Sequence, residues 1–311
     1  MNRGDEMQDL LDSVVDGCRE EWQAGRTATY IPELAKARAD AVGASVFDLS
    51  SGGCSSGDFD YRFTMQSVSK VLSLSLALSV CGEDEVFSRV GMDPLADSFN
   101  SIMRLEMDAP HRPHNPLINS GAIVVLSLLP YRDAEERFAA VSDMASRMTG
   151  NRSMSVNEAV FRSERDTAAR NRSLAWFLKS VGNLDGDVDD ILDTYFRQCS
   201  LEADCRDLAV LGATLAADGM NPVTGEQVVP PRVAEITRAI MATCGMYNGS
   251  GEFAVTVGIP AKSGVGGGIS AAVRGRMGIG TCGPALDGKG NSVAGMRILQ
   301  RLSEELRLRI Y

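Results

Sequence analysis

Lysine is scarce in this chain. Of 31 lysines and arginines, only five are lysine, at positions 36, 70, 179, 262 and 289. Arginine keeps its proton in proteins, whereas a buried lysine can lose it. The few places that keep lysine are therefore places to look for lysine chemistry. Histidine is scarcer still: His111 and His114 sit among prolines and read as loop residues. The seven cysteines (18, 54, 81, 199, 205, 244, 282) are odd in number and scattered, with no C-x-x-C pair. That pattern opposes a zinc cluster or a disulfide framework, and it fits a reducing cytoplasm. The thiols read as small core residues. No apolar run approaches the ~20 residues of a membrane span. The acidic start, MNRGDEMQDLLDSVVDG, has no signal-type apolar core. A net charge of −10 opposes a nucleic-acid or anionic-membrane partner.

What is present is an ordinary globular composition, 44% hydrophobic and 23% charged, enough for one large core or two lobes around a cleft. The densest stretch is MQSVSKVLSLSLAL at 65–78. Val68, Val71, Leu72, Leu74, Leu76 and Leu78 make a nearly all-apolar rod, the pattern of a buried helix. At its start stands Ser67-Val68-Ser69-Lys70. Residues three apart in a helix are neighbours, so Lys70 falls within reach of the Ser67 hydroxyl. Backbone N–H groups at a helix start are unpaired and can face an oxyanion. A serine with a deprotonatable lysine beside it is a nucleophile with a base. The same spacing also fits a buried helix start with Ser67 as its N-cap. A second lysine stretch, Lys262-Ser263-Gly264, lies far downstream. Ser-x-x-Lys followed by Lys-Ser/Thr-Gly on a strand resembles serine β-lactamases and penicillin-binding proteins.

Taken in order, residues 8–24 read as an amphipathic helix carrying Leu11, Val14, Val15, Cys18 and Trp22. Tyr30-Ile31-Pro32 reads as a turn, with Tyr30 either pointing inward or simply half-buried. Residues 42–49 and 59–64 read as strands, joined by a Ser/Gly-rich connection. From about 75 to 245 the periodicity is helical, broken by loops at 109–116 and 221–231. Asp133-x-x-Glu136 opens a helix that closes at Gly150, Ser155-x-x-Glu158 reads as another capping box, and Asp204 starts a helix running to Gly219. Residues 253–260, 268–274 and 276–282 read as short strands, and Asn291-Ser292 opens a terminal amphipathic helix. These elements predict an α+β fold in one domain. An antiparallel sheet with the terminal helices packed on it (about 1–70 and 246–311) faces an all-helical lobe (about 71–245), with a cleft between them.

Several blocks in order identify a closer resemblance: YIPELAKA at 30–37, QSVSKV at 66–71, HNPLINSGAIV at 114–124, Ser163-Glu164-Arg165 through Arg170-Asn171, LDTYFRQCS at 192–200, CGMYNGSGEFAVTVGIPAKSGVGGGI at 244–269 and PALDGKGNSVAG at 284–295. The chain resembles the serine-dependent glutaminases, in their short bacterial form, over nearly its whole length. The resemblance implies a β-lactamase-like fold and hydrolysis of L-glutamine to L-glutamate and ammonia without metal or cofactor. It implies Ser67 as nucleophile and Lys70 as base. Tyr30 and Tyr247 would line the site and help move the proton to the leaving ammonia. The backbone N–H groups of Ser67 and Val265 would hold the oxyanion. Asn119, Glu164, Asn171 and Tyr195 would hold the α-amino and α-carboxylate groups, with Gln66, Lys262, Ser263 and Gly264 in support. An ammonium calls for a carboxylate and a carboxylate for amide or hydroxyl donors, so the residue types agree. Glu164 and Asn171 are seven apart, two turns along one face if the segment is one helix. Ser120 and Gly266 depart from the common pattern without adding obstructive bulk.

The residues considered without the family leave other readings open. Asn119 also fits a satisfied polar residue at a helix start, Glu164 and Asn171 solvated helix residues, and Tyr195 and Tyr247 core or rim aromatics. At the level of the whole chain, a penicillin-recognising hydrolase of the same fold and a non-catalytic amino-acid-binding module are the alternatives. The family also suggests a homodimer or homotetramer.

Overall fold

The computed structural model describes residues 3–95, 103–107 and 110–310. Residue 109 of the expected 109–116 loop, and residues 96–102 and 108 of the expected helical stretch, lie outside the described residues.

The chain runs α1 (Arg3–Asp16), β1 (Gly43–Asp48), β2 (Gly52–Gly57), β3 (Phe63–Thr64), α2 (Lys70–Val80), α3 (Glu83–Arg89), α4 (Met103–Met107), α5 (Asn119–Ser127), α6 (Ala134–Thr149), α7 (Glu158–Thr167), α8 (Ala169–Ser180) and α9 (Val188–Cys199). It continues through β4 (Glu202–Ala203), α10 (Cys205–Ala216), α11 (Pro231–Cys244), α12 (Ser250–Thr256), β5 (Ala261–Ser263), β6 (Gly268–Val273), β7 (Met277–Cys282) and α13 (Val293–Glu305). Five strands form one sheet in the order β2-β1-β7-β6-β5, every pair antiparallel. Strands from both ends of the chain thus meet at β1 and β7.

On one face of the sheet, Leu11, Val14 and Val15 of α1 and Ile298, Leu299 and Leu302 of α13 pack on Val46, Ile269 and Ile279. Each such buried side chain contributes about 1.5–3 kcal/mol. On the other face lies α10, against β1, β6 and β7. It comes so close that a Cβ on Gly278 would stand 2.1 Å from the Ala209 carbonyl oxygen. Only glycine permits that approach. Beyond α10 the helical part shares a large core in which α2 is buried from Lys70 to Leu78. Such an all-apolar rod is stable only when surrounded, and α5, α6 and α11 surround it.

Several expectations hold. Asp133 caps α6 by accepting from the Glu136 N–H, and Gly150 ends it with φ 72°. Asp204 and Asp207 form a reciprocal capping box on α10. Ser292 caps α13.

Others need correction. The helix expected over 8–24 is α1 plus a separate 3-10 turn at Arg19–Ala24. The Ser/Gly-rich connection is itself strand β2, paired with β1 from Gly43↔Gly57 to Asp48↔Gly52. Its small side chains let α1 lie across it, while Asp48 takes the N–H groups of Ser50 and Ser51 to close the hairpin. The strand expected over 59–64 shrinks to Phe63–Thr64 and pairs with β4, outside the main sheet. Asn157, not Ser155, caps α7, by accepting from the Val160 N–H. The strand expected over 253–260 is helix α12, and the strand begins at Ala261.

Candidate active site

The chain enters the Ser67 turn on a fixed rail. β3 pairs with β4, and the Met65 N–H donates to the Leu201 carbonyl at 2.7 Å. Gln66 then takes φ 47°, a left-handed conformation that costs a non-glycine residue of order 1–3 kcal/mol. A 3-10 turn, Gln66–Ser69, comes next and runs into α2. Ser67 is thus inside a tight turn rather than a side-chain cap of the helix. The Ser69 hydroxyl donates to the Gln66 carbonyl at 2.7 Å and locks the turn.

Lys70 is completely buried, and its Nζ donates to Asn119 Oδ1 at 2.6 Å. Asn119, first residue of α5, passes the chain on, its Nδ2 donating to Asn171 Oδ1 at 3.0 Å. Burial lowers the Lys70 pKa to about 8, against the opposing pull of Cys199 and Glu164. Glu164 is 6% exposed, and burial raises its pKa to about 8, against Lys70, Gln66 and Cys199. Its Oε2 is shut off from solvent without a hydrogen bond of normal geometry. Glu164 and Asn171 do not share one helix: α7 ends at Thr167 and α8 begins at Ala169. They meet around Lys70 from two helices instead. Tyr195 of α9 lies beneath, its ring centroid 6.0 Å from Lys70 Nζ, its phenol held well above the usual pKa by burial.

The opposite wall is built from backbone. β5 carries Lys262 and Ser263, and the Gly264 N–H donates to the Gly268 carbonyl at 2.9 Å. Gly264 lies directly on the Ser67 turn; a Cβ there would stand 2.4 Å from the Met65 carbonyl oxygen. Val265 comes next, 5% exposed. Lys262 Nζ donates to the Gly245 and Ser263 carbonyls at 2.9 and 2.5 Å and lies 4.3 Å from the Tyr247 ring centroid. Burial, with the Lys70 charge second, pushes its pKa well down. Tyr247 takes φ 54° in a turn held by Ser250, whose hydroxyl accepts from the Met246 N–H and donates to the Tyr247 carbonyl. Burial raises its phenol pKa, opposed by hydrogen bonding with Ser67 and with the Val265 backbone.

Tyr30 closes the outer side. Burial of its hydroxyl, and after it the Glu164 charge, push its pKa up, while the residue as a whole stays 54% exposed. A cavity of about 540 Å³ opens beside it, lined among others by Arg26, Asn248, Val265 and Lys289.

The expected site residues therefore gather around one largely buried polar cluster, with Tyr30 at its exposed rim. Sequence reasoning reads Cys199 as a small core residue, and it does lie in the hydrophobic core, but it also borders the charged groups of Lys70 and Glu164. The available signal for that border is its position one turn after Tyr195. Sequence reasoning overlooks the left-handed backbone at Gln66 and Tyr247.

The glutaminase family model matches residues 25–311. The chain belongs to the glutaminase family. A glutaminase of Clostridium tetani is 50% identical over 98% of this chain and 100% of its own. The solved structure of a probable glutaminase from Bacillus subtilis superposes with a TM-score of 0.92, at 39% identity, over 98% of both chains. A Bacillus subtilis glutaminase in covalent complex with 5-oxo-L-norleucine, formed by its reaction with 6-diazo-5-oxo-L-norleucine, matches at a TM-score of 0.89 and 38% identity, over 98% of this chain and 100% of that one. The fold is β-lactamase-like, and the activity is that of an amidohydrolase releasing ammonia from the side chain of L-glutamine. Among the described residues, no helix is long and apolar enough to cross a membrane.

Proposed function

We propose that this glutaminase works through Ser67 and Lys70 by an acyl-enzyme. The observation that carries the reading is Lys70: an amine able to lose its charge, fully buried, one turn from a serine and tied to Asn119. Neutral Lys70 takes the Ser67 proton as Oγ attacks the γ-carboxamide carbon. The oxyanion is stabilised by the N–H groups of Ser67 and Val265, commonly a large term in acyl transfer. The C–N bond breaks and the leaving nitrogen takes a proton, relayed from Lys70 through Tyr247, with Tyr30 beside it. Water then attacks the ester, Lys70 takes its proton, and Ser67 recovers its own as L-glutamate forms. The α-ammonium of the substrate sits at Glu164, supplying the partner that the buried Oε2 lacks. Asn119, Asn171 and Tyr195 complete the pocket. Gln66 supports Glu164, and Lys262, Ser263 and Gly264 hold the opposite wall.

The covalent adduct of the Bacillus relative with a glutamine analogue supports an attacking side chain in the family. The test is to treat this chain with 6-diazo-5-oxo-L-norleucine and locate the adduct by peptide mass spectrometry. Modification at Ser67, absent in Ser67→Ala, is expected. An adduct on any other residue overturns the assignment. The seven free thiols support a reducing cytoplasm. A homodimer or homotetramer rests on the family alone, and sedimentation equilibrium of the purified chain reads it directly.

A further inference from the structure

Three consecutive carbonyls lead up to and include that of Tyr247, and each is taken by a buried side chain from a different element. The Gly245 carbonyl accepts from Lys262 Nζ of β5 at 2.9 Å. The Met246 carbonyl accepts from Asn291 Nδ2, in the loop before α13, at 3.4 Å. The Tyr247 carbonyl accepts from the Ser250 hydroxyl of α12 at 2.9 Å, and the same hydroxyl accepts from the Met246 N–H at 3.1 Å. Lys262, Asn291 and Ser250 are 0%, 1% and 6% exposed. All three carbonyls also have a backbone donor: the N–H of Ser263 at Gly245, of Gly249 at Met246 and of Ser250 at Tyr247. The side chains are therefore second donors, filling the other lone pair of groups that are already satisfied. What they add is fixity.

Tyr247 needs that fixity. It sits at φ 54°, a conformation a non-glycine residue keeps only where its surroundings over-determine it. Glycine would adopt it freely, so tyrosine is held there at a cost for the sake of its side chain. The ring is held as well. Lys262 Nζ lies 4.3 Å from its centroid. Asp287 Oδ1 accepts from the Lys289 and Asn291 N–H groups at 2.8 and 2.9 Å, which curls residues 287–291 into a tight loop. Gly290 of that loop lies along the ring; a Cβ on it would touch Tyr247 Cε2 at 3.6 Å and Val265 Cγ1 at 3.4 Å. Val265 follows Gly264, whose Cβ would stand 3.4 Å from the Ser67 nitrogen. The loop that supplies Asn291 thus also packs the tyrosine ring against the wall beside Ser67.

We propose that Ser250 and Asn291 are positioning residues for glutamine hydrolysis: with Lys262 they fix the three carbonyls of residues 245–247 and so fix the line along which the Tyr247 phenol meets the leaving nitrogen. The proposal rests on the reading of Tyr247 as the relay to that nitrogen. Neither residue touches substrate; both act through the tyrosine.

The experiment is a double-mutant cycle on kcat, with thermal melts as the folding control. Ser250→Ala removes both bonds of that hydroxyl, and Asn291→Ala removes the amide; either carries the test if the other fails to fold. Each is made in the wild-type enzyme and in Tyr247→Phe, which keeps the ring and lacks the hydroxyl. Tyr247→Phe is expected to lower kcat about 10²-fold or more. Ser250→Ala should lower kcat about tenfold with KM within about twofold, since a reacting group displaced by less than 1 Å is enough. In the Tyr247→Phe background the same substitution should cost less than about twofold, because no hydroxyl is left to misplace. An unchanged kcat in the folded alanine variants overturns the proposal. So does a loss repeated in full in the Tyr247→Phe background, which makes both residues general supports of the fold. If Tyr247→Phe itself keeps wild-type kcat, the relay reading fails and takes the positioning role with it.

Discussion

The two walls of the site are made differently. On the helical wall, polar groups bond to one another through side chains: Lys70 to Asn119, and Asn119 to Asn171, with Glu164 close to Lys70. On the sheet wall, the bonds run through backbone: Lys262 to two carbonyls, Gly264 to Gly268, Tyr247 locked at positive φ by Ser250. The two buried lysines register the difference. Lys70 has a carboxylate nearby and falls only to about 8, within reach of neutral pH. Lys262 faces carbonyls and a ring, with the Lys70 charge against it, and is pushed well down. On the proposed mechanism, one wall exchanges protons and reads charge. The other is a mould that holds N–H groups still. Damage to the first should therefore appear as lost chemistry or recognition, and damage to the second as lost geometry.

The largest effects belong to the helical wall. Ser67→Ala should lower kcat by about 10⁴-fold or more. Lys70→Arg keeps a cation but cannot become a neutral base, and should cost about 10²–10⁴-fold in kcat with little change in melting temperature. A folded Lys70→Arg enzyme keeping more than about a tenth of wild-type turnover would sink the serine–lysine mechanism, and Tyr30 or Tyr247 becomes the better base. Glu164→Gln comes next. An ammonium buried without its carboxylate costs about 3–5 kcal/mol. The loss, about 10²–10⁴-fold, should fall on KM rather than kcat, and steady-state kinetics separate the two.

The sheet wall is best tested at Gly264. A Cβ there runs into the Met65 carbonyl oxygen and meets Val68 Cγ2 at 3.2 Å, prising the strand off the Ser67 turn without touching any titrating group. A displacement near 1 Å can cost about 10²-fold. Gly264→Ala should thus lower kcat about 10- to 10²-fold while its pH profile keeps the wild-type shape. A shifted profile would mean that the walls are not separate in function.

Legibility in the sequence divides along the same line. Helix caps such as Asp133, Asp204 and Ser292 are readable because capping is local chemistry. Strand β2 is not, because Gly52-Gly53-Cys54-Ser55-Ser56-Gly57 has little strand propensity and is held by its pairing with β1. The helix over Ser250–Thr256 passes for strand, since a short apolar run carries no decisive period. The candidate site residues are legible as a set through the family blocks. The strain at Gln66 and Tyr247 is not, because a left-handed non-glycine residue is imposed by its surroundings. Cys199 reads as a core filler because a thiol's neighbours are a tertiary fact.

The last prediction is the pH dependence, and it sharpens the contrast between the walls. The proposed mechanism requires a neutral Lys70 and an ionised Glu164, so on that reading both must have lost their protons. Burial lowers Lys70 to about 8 and raises Glu164 to about 8, so both losses fall in one window. Being adjacent, the two titrate as a pair in two steps rather than as separate residues. The sign is the same for each: kcat/KM should rise with pH from about 7 to 9, by about tenfold per unit for each group still protonated. Glu164→Gln removes one of the two ionisations, so the limb should become shallower. It also removes the negative charge that holds the proton on Lys70, and the Lys70 pKa should then fall. The remaining limb should move to lower pH. Profiles of kcat/KM from about pH 6 to 9 for wild type and Glu164→Gln decide the matter. A limb that stays in place, or moves to higher pH, would show that Lys70 and Glu164 do not share the site's proton balance.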